Sequence, residues 1–101
     1  MKSLEKIELW EYKELDVLNQ DGYKVKIKNK LVAFFKDLEG AQIYKEDLIF
    51  YQKVSRKNID ILESHIYQIA GFCIMENNIF QEFFIEKHIA QERFEKWYEN
   101  M

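Results

Sequence analysis

Residues 59–98 are forty consecutive positions without proline in which apolar side chains recur at helical spacing. Ile59, Leu62, Ile66, Ile69 and Cys73 step by alternating threes and fours, which places them on one stripe of a helix. Tyr67, Phe72, Ile74 and Met75 fall elsewhere on the same wheel, and a helix apolar nearly all round is a buried one. The pattern predicts a central hydrophobic helix over 59–76. Asn77-Asn78 separates it from a last helix running from Ile79 to about Tyr98.

The rest of the chain reads less uniformly. Ser3 as cap, Glu5 in the first turn and Gly22 as a left-handed stop predict a helix over Ser3 to Asn19. Ile7 and Leu9 alternate, however, as do Leu15 and Val17, and so do Tyr23, Val25 and Ile27 among lysines. That period of two, with Asp21-Gly22 as a turn pair, supports a competing β-hairpin over about 12–28, with Val17 opposite Tyr23. Ile27, Leu31, Phe34, Phe35 and Leu38 form an amphipathic stripe that Gly40 closes. Ile43 to Val54 makes a third helical element, and Ser55-Arg56-Lys57-Asn58 interrupts the apolar seam before Ile59.

The expected fold is therefore all-α: a single domain over 1–101, a compact bundle of four to five helices. The alternative is α+β, with the N-terminal hairpin packed on helices. No internal repeat, linker or low-complexity tract is read. A composition 48% hydrophobic and 33% charged supplies both a core and a solvated surface. One cysteine, Cys73, cannot form an internal disulfide, and its place on the apolar stripe predicts a buried, reduced thiol. The longest near-apolar run, Ile66 to Met75, is half what a spanning helix needs, and Met1-Lys2-Ser3-Leu4-Glu5-Lys6 has no signal-peptide core. The expected location is the cytoplasm, bacterial or, for a phage protein, that of the host. A bias to Lys over Arg and to Ile, Asn and Phe resembles coding in an A+T-rich genome.

Residues typical of catalysis or metal binding are present but scattered. His65, Cys73 and His88 are the candidate ligands, with Glu63, Glu86 and Glu92 nearby in sequence. The Glu-x-x-His spacing of di-iron bundles fails, because Ile66 follows Glu63 and Ile89 follows Glu86. Ser3, Ser55 and Ser64 stand in no glycine elbow, and Gly22, Gly40 and Gly71 are too far apart to cradle a phosphate. No cofactor, metal or enzymatic activity is expected. Gly71 beside Ala70 marks either a close backbone approach or room for a small ligand.

Two surfaces remain. Lys24, Lys26, Lys28 and Lys30, in the lysine-rich segment 23–36, with Lys53, Arg56 and Lys57, are the basic concentration and the nucleic-acid candidates. The protein is acidic overall, at a net charge of −3, which argues against that use. On the last helix Ile85 and Ile89 fall outside the main apolar arc, ringed by Glu82, Glu86, Glu92 and Arg93. A terminal helix with a second apolar stripe either lies between two layers or offers that stripe to a partner. The expected function is a non-enzymatic, protein-binding inhibitor that occludes a larger effector such as a toxin or nuclease, as an immunity protein or a phage-encoded anti-CRISPR-like inhibitor does. A nucleic-acid or nucleotide-binding module and a homo-oligomeric structural protein are the alternatives.

Overall fold

A computed structural model describes residues 6–99, and they form a six-stranded antiparallel sheet with two helices. In chain order the elements are β1 (Ile7–Tyr12), β2 (Val17–Ile27), β3 (Lys30–Phe35), α1 (Leu38–Phe50), β4 (Ile59–Gln68), β5 (Gly71–Glu76), β6 (Ile79–Phe84) and α2 (Lys87–Glu99). The strand order is β1-β5-β6-β3-β2-β4. The all-α expectation is overturned. The stretch 59–76 is β4 and β5 rather than a central helix, and the supposed last helix is β6 followed by α2.

Two-sided burial explains why 71–84 reads as helix. Strands β3, β5 and β6 lie inside the sheet, and Phe34, Phe35, Cys73, Ile74, Phe83 and Phe84 are almost wholly enclosed although successive residues point to opposite faces. Such strands lose the apolar–polar alternation and read as continuous apolar runs, which periodicity cannot tell from a buried helix. The N-terminal hairpin over 12–28 is also corrected. Asn19-Gln20-Asp21-Gly22 lies within β2, which pairs with β3 and β4 and not with β1. The helix start assigned to Ser3 and Glu5 lies outside the described residues, while Ile7–Tyr12 is strand.

The architecture is a βββα unit used twice, a repeat the sequence reading missed. Gly22, Asn29, Phe34, Phe35, Ala41, Gln42 and Glu46 recur as Gly71, Asn78, Phe83, Phe84, Ala90, Gln91 and Glu95, each 49 positions on (71 − 22). The geometry repeats with them. Lys28-Asn29 and Asn77-Asn78 both have positive φ at each residue, as a type I′ hairpin turn requires. Both hairpins carry a bulge at the same place, between Val25/Lys26 and between Ile74/Met75. The N–H of Lys36 donates to the Gln81 carbonyl at 3.0 Å, and the N–H of Ile85 donates to that of Val32 at 3.2 Å. Between the halves, Phe34 pairs with Phe83, flanked by Ala33–Phe84 and Phe35–Glu82. Exchanging the halves maps this ladder onto itself, so a pseudo-twofold axis passes between Phe34 and Phe83.

Each sheet face has its own core. On the helical face Val25, Ala33, Phe35, Ile74 and Phe84 pack beneath Ala41, Tyr44, Leu48 and Ala90. Phe84 meets Phe35 and Tyr44 edge-on at ring centroids of 5.6 and 5.4 Å, a favourable geometry beyond the area buried. On the opposite face Phe34, Cys73, Met75, Phe80 and Phe83 pack with Ile66, Leu18 and Ile69 from the ends of β2 and β4. Gly22, midway along β2, and Gly71, the first residue of β5, lie close against the neighbouring strands. A Cβ on Gly22 would collide with the Phe35 carbonyl oxygen, and one on Gly71 with the Phe83 ring and the Phe84 carbonyl oxygen. Gly71 thus marks a close approach, in a strand rather than a helix.

Candidate functional site

Because the fold is duplicated, each half serves as an internal control for the other. The inner face of α1 is built as expected, with Ala41, Tyr44 and Leu48 buried. Its outer face is not. Ile43 and Phe50 are exposed there, by 53% and 68%, Leu38 is exposed on the flank facing β2 and β4, and Tyr51 follows at 70%. The equivalent positions on α2 are Lys87, Glu92 and Glu99, all exposed and all charged. The same scaffold position therefore tolerates full polarity, and folding does not call for apolar residues on the outside of α1. A helix apolar on both sides has a second surface to cover.

The exposed ridge is held in place locally. Phe50 and Tyr51 stack edge-to-face at 4.9 Å. Lys53 Nζ lies 5.6 Å from the Phe50 ring centroid and donates to the Phe50 carbonyl, while Lys96 Nζ lies 6.0 Å from the Tyr51 ring. One turn back, Arg56 donates from Nη1 and Nη2 to the two carboxylate oxygens of Glu46 at 2.9 and 3.1 Å. That guanidinium holds the Glu46 carboxyl below the usual carboxylate range.

Beneath the helices lies the one charged side chain that is buried among the described residues, Glu82. Arg93 donates to it from Nε and Nη2 at 3.2 and 3.1 Å, Trp97 Nε1 donates at 3.2 Å, and Arg93 Nη1 reaches Asp47 on α1 at 3.3 Å. The guanidinium also sits 5.6 Å from the Tyr44 ring and 5.9 Å from that of Phe84. Burial pushes the Tyr44 hydroxyl up to about 12, against the opposing pull of Arg93. The equivalents of Glu82, Arg93 and Trp97 in the first half are Ala33, Tyr44 and Leu48, so the polar cluster exists on one side only.

That asymmetry leaves a cavity. Between the β2–β3 hairpin and the two helices is a groove of about 500 Å³ with an apolar floor of Ile27, Val32, Leu48, Val54, Ile85 and Ile89. Lys28, Lys30 and His88 stand on its rim with Glu86, whose carboxylate lies 3.5 Å from His88 Nδ1. Its pseudo-twofold mate, bounded by Asp37, Glu39, Gly40, Gln81 and Trp97, is only about 150 Å³.

The residues singled out from sequence do not form one surface. Glu82 and Arg93 are internal partners, Glu92 faces solvent on α2, and Ile85, Glu86 and Ile89 line the groove. Of the basic residues, Lys24 and Lys26 lie on the sheet face opposite the helices, in the places of Cys73 and Met75. Lys28 and Lys30 edge the groove, and Lys53, Arg56 and Lys57 lie between α1 and β4. Cys73 is buried as expected, and burial pushes its thiol pKa up. His65 Nδ1 lies 2.6 Å from Asp21 Oδ1 and Nε2 lies 3.0 Å from Asn19 Oδ1, an exposed cluster that ties β4 to β2. Among the described residues no three His, Cys, Asp or Glu side chains stand together as a metal site requires, and no helix is long and apolar enough to cross a membrane. Neither a family model nor a curated protein nor a solved structure matches the chain.

Proposed function

We propose that this chain is a protein-binding module that occludes a larger effector, and that it engages the effector through the outer ridge of α1. The observation that carries this reading is the contrast between the two copies of one helix: Ile43 and Phe50 face solvent where α2 has Glu92 and Glu99. Large aromatics stacked on each other at a surface, as Phe50 and Tyr51 are, make effective anchors because aromatic side chains lose little freedom on docking. The partner is a protein with an apolar cleft that receives these rings, its rim meeting the carboxylates of Glu39 and Glu46 and the Lys53 and Lys96 ammonium groups. Inhibition of a toxin or of a defence nuclease by occlusion is the activity proposed for this surface.

The test is affinity purification from the native host of wild type and of the double variant Phe50→Ser, Tyr51→Ser, with circular dichroism of both. Both side chains are exposed, so the variant keeps its fold. A stoichiometric protein that copurifies with the wild type and not with the variant supports the reading. Equal recovery with both, or recovery of nucleic acid in its place, removes it.

A further inference from the structure

The groove beside the β2–β3 hairpin is a second site, independent of the α1 ridge, and we infer that it binds a small planar aromatic molecule carrying one anionic group. The fold supplies the argument for the aromatic body. In the second half the corresponding wall is the protein's own indole: Trp97 stands where the first half has Leu48, lines the smaller cavity, packs against the core and donates to Glu82. With the shorter Leu48 the matching space is left open, and the cavity is about 500 Å³ instead of about 150 Å³. A pocket of that size with an apolar floor is typical of small-ligand sites.

The rim supplies the argument for the charge. Lys28 and Lys30 bracket the hairpin turn at one side, and His88 stands at the other. The single rim carboxylate, Glu86, faces His88, leaving the lysine side free to meet an anion. An aromatic carboxylate laid on Val32, Leu48 and Ile89 places its acidic group at the Lys28 and Lys30 ammonium groups, where a charge-assisted contact fixes its orientation.

Indole-3-acetate is the probe, followed by NMR titration of the full chain. Expected are saturable shifts confined to residues of the groove, and binding at least tenfold weaker for the uncharged 3-methylindole. Binding is also at least tenfold weaker for the double variant Lys28→Gln, Lys30→Gln. Leu48→Trp, which copies the filled half, removes the shifts. Should that variant fail to fold, Ile85→Trp blocks the groove from its exposed rim with the same expected loss. Shifts that do not saturate or scatter over the surface overturn the inference, and so does unaltered binding by a folded, groove-filled variant.

Discussion

Arg93 grips Glu82 through two parallel hydrogen bonds, Nε to Oε1 and Nη2 to Oε2, at a place where the first half has Tyr44 and Ala33. Both side chains are largely enclosed, at 15% and 8% exposure. Deleting one partner strands the other charge in the core. Glu82→Ala is expected to cost about 3–5 kcal/mol, read by urea denaturation. Pairing it with Arg93→Tyr copies the Ala33 and Tyr44 of the first half, and much of the loss is expected to return. A double variant no more stable than Glu82→Ala alone would count against this.

The two hairpin glycines should be the least replaceable small residues. A methyl at Gly22 meets a main-chain oxygen of β3, and one at Gly71 meets both the Phe83 ring and a main-chain oxygen of β6. Gly22→Ala and Gly71→Ala are each expected to destabilise by about 1–3 kcal/mol or more, whereas Gly40→Ala meets only the edge of the Phe35 ring and is milder. The three melting temperatures decide it.

The sequence hid this architecture for a physical reason. Spacing such as Ile59, Leu62, Ile66, Ile69, Cys73 fits a helix, yet it runs from the edge strand β4, where Leu62 is exposed, into β5, which is enclosed on both faces and shows no alternation. The turn at Asn77-Asn78 and the break at Ser55–Asn58 were legible, and so was the buried Cys73. The duplication was recoverable in principle: Gly22, Asn29 and Phe34-Phe35 recur at identical spacing as Gly71, Asn78 and Phe83-Phe84. The ridge on α1 was not, because exposure of Ile43 and Phe50 depends on which side of the helix the sheet covers. The same holds for Ile85 and Ile89, whose place beside a groove follows from packing against a hairpin distant in sequence.

Both turns hold asparagine or lysine in left-handed backbone that glycine adopts at no steric cost. Asn78→Gly puts an Asn-Gly pair into a type I′ turn and is expected to raise stability by up to about 1 kcal/mol. Asn78→Val, which resists positive φ, is expected to lower it. Thermal melts of the two variants should move in opposite directions.

Alkaline pH should unfold the protein early. The Tyr44 hydroxyl is raised in the folded state, so its contribution is complete below the unfolded value of 10 and is lost as pH climbs toward about 12. Cys73 acts with the same sign from its unfolded value of 9 upward. A tenfold difference in proton affinity between the folded and unfolded chains corresponds to about 1.4 kcal/mol. Tyr44→Phe keeps the ring and removes the titration, so its melting temperature should fall less between pH 9 and 12 than that of the wild type. In the native state near neutral pH, Cys73 should resist a thiol reagent until denaturant is added.

A photo-crosslinking amino acid at Phe50, compared in the native host with the same group at the pseudo-equivalent Glu99, tests the role of the α1 ridge most directly. The expected result is one dominant protein adduct from the Phe50 position and none of that size from Glu99. Adducts of equal yield from both helices, or none from either, would contradict the assignment of α1 as the docking face.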